Sequence, residues 1–130
     1  IHDNSIKDVV KLVGPKYKRD KEKLFASANI FIHPTLNDCF PLVLLEALKF
    51  GLPIVTTNEG AISDIVTDSI NGFIIKKNCP SDISEKLSEL IENEDLRSEM
   101  SEKNKKKFIK NFTSKTMEEN LVEVFEEVIK

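Results

Sequence analysis

The sequence predicts an α/β fold: a parallel sheet with helices on both faces. Two observations carry this. Short apolar runs rich in β-branched residues alternate with longer segments of helical period. The runs are continuously apolar rather than alternating, as expected of strands buried on both sides. Strands separated by helices imply parallel pairing with right-handed crossovers. The expected architecture is a Rossmann-like three-layer sandwich with a helical C-terminal end.

The elements follow in order. Val9 to Val13 reads as a strand stopped by Gly14-Pro15. Asp20 is placed to cap a helix running to Ala28. Asn29 to His33 is β-branched and aromatic, hence a strand, and Pro34 to Cys39 is a loop. Pro41 to Phe50 is apolar nearly all round, with proline at the first helical position and Gly51 ready to end the helix in a left-handed conformation. Pro53 to Thr57 is the third strand, and Asn58 to Gly60 a turn. Ala61 to Thr67 is a short helix. Asn71-Gly72 marks a turn before the strand Phe73 to Lys76. Ser81 is the expected cap of a helix striped by Ile83, Leu87, Leu90 and Ile91, with Asp82 and Glu85 at its positive end. A further helix spans about Asp95 to Ile109. The last spans Ser114 to Ile129, with Met117, Leu121, Val124, Phe125 and Val128 on one face.

A chain of 130 residues fits one domain, 1–130, with a core of its own. It is 40% hydrophobic and 32% charged, and a net charge of -3 argues against nucleic acid as a partner. The run Lys103, Lys105, Lys106 and Lys107 reads as a solvated helix face. Cys39 and Cys79 point to a reduced, cytoplasmic compartment. No apolar run is long enough for a transmembrane helix, and no signal peptide is visible. The start at Ile1 without methionine reads as a fragment of a longer protein. Heavy use of Lys, Asn and Ile without Trp points to an AT-rich bacterial genome.

In open α/β sheets ligands sit beyond the carboxyl ends of the strands, here the loops after His33, Thr57 and Lys76. The segment from His33 to Pro41 leaves a strand and meets a helix start, whose free N–H groups bind anions. Pro41 lacks an N–H, so the donors are Leu42, Val43 and Phe40. No Walker loop, dinucleotide fingerprint or serine elbow occurs. Glu46, among Leu42 to Leu48, is either a paired or ligand-bound carboxylate or part of an exposed strip with Lys49. Asp38 is either a local turn former or an acceptor of sugar hydroxyls. Cys39 with His33 is an alternative thiol constellation, against the ordinary reading of Cys39 as a small buried hydrophobe. His2 and His33 lack metal-ligand spacing, and no metal site is expected.

Asp38-Cys39-Phe40-Pro41-Leu42-Val43-Leu44-Leu45-Glu46-Ala47-Leu48, then Gly51-Leu52-Pro53-Ile54-Val55-Thr56-Thr57, resembles the signature of glycosyltransferase family 4. The resemblance extends over nearly the whole chain: Val13-Gly14, Leu24 to Ile32, Pro34-Thr35, Gly60, Ile62, Asp64 to Val66 and Asn71 to Phe73 follow in family order. It implies the C-terminal, nucleotide-sugar-binding domain of a two-domain GT-B retaining transferase. Such enzymes commonly build capsule, O-antigen or other surface polysaccharides, and the full-length protein would be cytoplasmic or peripheral to the inner membrane face.

By resemblance, Glu46 matches the glutamate that holds the ribose hydroxyls. Asp38 stands at the glutamate that contacts the sugar, so these two are the catalytic candidates. Cys39, Phe40, Pro41, Leu42 and Val43 match the turn that meets sugar and diphosphate. The donor is then the substrate, with no cofactor and no required metal. Two departures stand out: Asp38 is one methylene shorter than the usual glutamate, and Cys39 replaces a usual glycine. The family's Arg and Lys that neutralise the diphosphate precede Val9, and its acceptor domain lies upstream, so the piece alone is expected to be inactive. A non-catalytic binding or scaffold module is the alternative that these departures suggest.

Overall fold

The computed structural model describes Ile6 and residues 8–129. The elements are α1 (Lys18–Ser27), β1 (Phe31–His33), α2 (Leu42–Lys49), β2 (Ile54–Thr57), α3 (Ile62–Ile65), β3 (Gly72–Ile75), α4 (Pro80–Glu92), α5 (Glu94–Asn111) and α6 (Ser114–Ile129). The sheet runs β1-β2-β3, and both pairs are parallel. Phe31 lies opposite Ile54, His33 opposite Thr56, and Val55 opposite Phe73.

Adjacent residues of β2 enter different clusters, which makes the domain three-layered. Ile54 joins Phe25 of α1, Leu44 and Leu48 of α2, and Ile62 and Ile65 of α3. Val55 joins Phe73, Ile75, Leu90 of α4 and Met100 of α5. All four residues of β2 are buried: Ile54 and Val55 as apolar strand residues, Thr56 and Thr57 as polar residues whose hydroxyls are bonded. Eight-residue α2 is too short to be helical on propensity alone. Leu44 and Leu48 are fully buried and contribute about 2 kcal/mol each, so tertiary burial holds it. Gly51 follows with φ +70°, the left-handed ending foreseen.

Several expectations are corrected. Val9 to Val13 is no strand: no described strand pairs with it, and Val9 and Leu12 are exposed. β-branched content creates a strand only where a neighbour supplies the ladder. Asp20 lies inside α1, whose N-cap is Tyr17 without a side-chain bond. Pro41 is the N-cap of α2 rather than its first residue. Cys79, not Ser81, is the N-cap of α4, because Pro80 already fits the first helical position. Asn93 accepts from the Leu96 amide and caps α5, a role the sequence reading overlooked. The apolar stripe of α6 forms at the expected positions, but Met117, Leu121, Val124, Phe125 and Val128 are all exposed.

The lysine run of α5 is only partly a solvated face. Lys103 and Lys106 pair along the helix with Glu99 and Glu102. Lys107 is half-buried, and burial lowers its pKa, a shift that the Asp64 carboxylate partly offsets. His2 lies outside the described residues.

Candidate functional site

The three loops at the carboxyl ends of the strands are tied to one another. At the end of β1, the His33 carbonyl accepts from Thr56 Oγ1 at 2.8 Å, and the Thr35 carbonyl from Thr57 Oγ1 at 2.6 Å. Both threonines are buried, so their hydroxyls need acceptors, and the β1–α2 loop supplies them. Gly60 presses on the same loop from the turn after β2. Its φ is +50°, and a Cβ there would meet the carbonyl oxygens of Asp38 and Cys39. The Ala61 amide donates to the Cys39 carbonyl at 2.7 Å. Glu59 of that turn is ion-paired with Lys77 beyond β3.

On this clamped loop, Asp38 is half-buried, and its Oδ2 lies 3.2 Å from His33 Nε2. Cys39 is exposed, with a free thiol. The imidazole therefore faces a carboxylate, and the structure does not bring Cys39 into hydrogen-bond contact with it among the described residues. Phe40 and Leu42 are exposed, Val43 is half-buried, and Pro41 is buried beneath them. The amides of Leu42 and Val43 have no hydrogen-bond partner among the described residues. They are the free donors of a helix start.

Glu46 lies one turn further along α2. It is neither deeply buried nor free: its side chain is 35% exposed, and Oε1 is 2.5 Å from Lys21 Nζ of α1. Lys49 pairs instead with Glu22, so Glu46 and Lys49 do not form one common strip. The β1–α2 loop and α2 thus carry, in chain order, a carboxylate, two unused amides and a second carboxylate, groups suited to binding hydroxyls and an anion.

Sequence reasoning named the loop after Thr57 and placed Thr56, Thr57 and Gly60 in the family pattern, but missed Lys21 and the contacts by which the threonines and Gly60 clamp the β1–α2 loop. Paired threonines ending a strand were a usable signal, since buried hydroxyls must find acceptors. Lys21 gave none, because its partner is 25 positions away and on another helix.

A shallow cavity of about 240 Å³ opens beside the site, lined by Leu36, Thr57, Lys76, Asn78 and Pro80 among others. Among the described residues no helix is long and apolar enough to cross a membrane.

The sequence model described as "Glycosyl transferases group 1" matches residues 1–107. An uncharacterised glycosyltransferase of Methanocaldococcus jannaschii is 31% identical over 119 residues, covering 92% of this chain and 34% of that protein. The capsular polysaccharide biosynthesis glycosyltransferase CapM of Staphylococcus aureus is 30% identical over 115 residues, covering 88% and 30%. The chain thus spans about a third of the length of these curated relatives. Among solved structures, Anabaena HepE in complex with UDP superposes with a TM-score of 0.78 at 20% identity, over 85% of this chain and 30% of that one. The C-terminal domain of a group 1 glycosyl transferase from Francisella tularensis superposes with a TM-score of 0.71 at 20% identity, over 78% and 53%. The fold is that of the C-terminal half of a GT-B glycosyltransferase, and the chain belongs to the glycosyl transferases group 1.

Proposed function

We propose that residues 1–130 form the donor-binding domain of a longer, retaining glycosyltransferase. The observation that carries the reading is a pair of carboxylates, Asp38 and Glu46, that precede and follow the unpartnered Leu42 and Val43 amides along the clamped loop and α2. In this reading the amides meet the diphosphate, with Cys39, Phe40 and Pro41 shaping the turn around it. Glu46 accepts the ribose hydroxyls and Asp38 those of the sugar. HepE, of the same fold, has been solved with UDP and with UDP-glucose, which supports a nucleotide sugar as ligand. The relationship to CapM supports a place in surface polysaccharide synthesis.

The substrate carries its own leaving group, so the chemistry is positioning and electrostatic stabilisation rather than cofactor work. A metal is not required, and EDTA leaves turnover unchanged. The protein acts in the cytoplasm or at the inner membrane face. The domain alone leaves one wall of the cleft open to water and shows negligible transfer.

Calorimetric titration of the full-length chain with UDP-, GDP- and other nucleotide sugars tests the reading. One donor binds, and Glu46→Ala weakens it at least tenfold. Failure of every donor, or binding indifferent to Glu46→Ala, rejects the proposal. A product assay on the full-length chain separates an enzyme from a scaffold that kept the fold, since Glu46→Gln abolishes turnover only in the former.

A further inference from the structure

Asp38 sits in a loop, and a short carboxylate in a loop ordinarily samples several rotamers, which costs binding entropy when a ligand selects one. Here one oxygen is taken. Oδ2 lies 3.2 Å from His33 Nε2, while Oδ1 accepts no hydrogen bond among the described residues. The imidazole is itself held on two sides. Its main chain ends β1 opposite Thr56, whose hydroxyl bonds the His33 carbonyl at 2.8 Å. Its ring stacks on Phe31, centroids 6.4 Å apart, and Phe31 stacks on buried Phe25 at 5.4 Å.

The chain of restraint therefore runs from the core through Phe31 and His33 to a single carboxylate oxygen, leaving the other oxygen open. We propose that His33 is a positioning residue that orients Asp38 toward the donor's sugar. This inference rests on the donor-site reading above. His33 does not touch the donor. It donates from Nε2 to Oδ2, presents Oδ1 to a sugar hydroxyl, and removes rotational freedom that the ligand would otherwise have to freeze.

A purely structural role for His33 would loosen the whole loop, and with it the amides that meet the phosphates. A positioning role affects the sugar alone. The discriminating measurement is therefore the affinity of the full-length chain for a nucleotide sugar against the matching nucleoside diphosphate. The probes are UDP-glucose with UDP and GDP-mannose with GDP, read by calorimetry. His33→Phe keeps the stacking ring and removes the donor, and His33→Leu serves if the larger ring disturbs the fold. The variant weakens the sugar nucleotide about tenfold and the diphosphate less than about twofold, the scale of one hydrogen bond to a charged group. His33→Gln, whose carboxamide can donate to the same oxygen, restores most of the loss. His33→Phe added to Asp38→Asn costs nothing beyond Asp38→Asn alone.

Equal weakening of both ligands, additive losses, or no rescue by glutamine overturns the positioning role. Sensitivity to Asp38→Asn with indifference to His33→Phe overturns it too, while leaving the donor site intact. No binding of any probe by the unaltered chain overturns both readings together.

Discussion

Asn71 and Asn104, 33 positions apart, share a side-chain hydrogen bond of 2.7 Å in the buried interior. The network around them is complete. Asn71 also donates to the Ile65 carbonyl and accepts from the Thr67 amide, and Asn104 donates to the carbonyls of Leu52 and Asn71. Two amides thus stitch α5 to the loops before β2 and β3. Asn104→Ala strands the Leu52 carbonyl and leaves a void, at a cost of about 3 kcal/mol. Asn104→Asp points carboxylate oxygens at two carbonyls and costs at least as much. Urea midpoints measure both, and a loss under about 1 kcal/mol for Asn104→Ala shows that the network is not a stabilising one.

Gly60→Ala meets two penalties at once. The residue adopts φ +50°, and its Cβ would strike main-chain oxygens rather than a yielding side chain. The loop bearing Asp38 and Cys39 must move. The expected cost is about 2 kcal/mol in stability, together with weaker donor binding. Gly14→Ala is the control, since it shares a positive φ but meets nothing within 4 Å. It pays only the conformational cost of about 1 kcal/mol and leaves the donor site untouched. Equal effects of the two substitutions on donor affinity contradict this account.

What the sequence revealed and what it hid divide along physical lines. β2 and β3 were legible because short runs of β-branched and aromatic residues bounded by turn residues have few other readings. Asp38 and Glu46 were legible as residue types in a family pattern, and the Asn71-Gly72 turn by its chemistry. The contacts of Lys21, Thr56 and Gly60 were not, because each is made with a partner distant in the chain. Asn104 was hidden inside a lysine run, where a helix face looks uniformly wet. Val9 to Val13 misled, because strand propensity cannot say whether a neighbouring strand exists.

Lys107 gives a pH prediction. Burial lowers its folded-state pKa, so the unfolded chain holds this proton more tightly than the folded one. The penalty is complete below the folded pKa and fades as pH rises toward the ordinary lysine value of about 10.4. Lys107→Met therefore stabilises at pH 7, by less than about 0.5 kcal/mol, because solvent screens a half-exposed ammonium and the variant also loses the Asp64 attraction. The gain shrinks as pH rises through the folded pKa toward the ordinary lysine value. A gain that grows with pH has the wrong sign for this cause.

Cys39 is exposed, and its thiol enters no hydrogen bond among the described residues. Cys39→Ser accordingly leaves donor affinity and turnover within about twofold, a change below about 0.4 kcal/mol. Loss of activity on this near-isosteric exchange, measured on the full-length chain, would revive the thiol mechanism.

Glu46 and Lys21 separate stability from function. The pair is about one-third exposed on each side, and such pairs contribute about 0–1 kcal/mol to stability. Nothing in the fold therefore demands a carboxylate at position 46: Glu46→Gln shifts the urea midpoint by no more than that amount. Under the proposed role its effect on binding is larger, because a carboxylate accepting two ribose hydroxyls contributes about 1.5–3 kcal/mol, or roughly 10- to 100-fold in donor affinity. Lys21→Met keeps the carboxylate but frees Oε1 from its tether. It lowers affinity by a smaller factor, about threefold, through lost orientation rather than lost chemistry. Calorimetry on the three proteins, beside their urea curves, reads both quantities. If Glu46→Gln destabilises the fold by several kcal/mol while donor affinity holds, the glutamate is a structural partner of Lys21 and not a ribose acceptor.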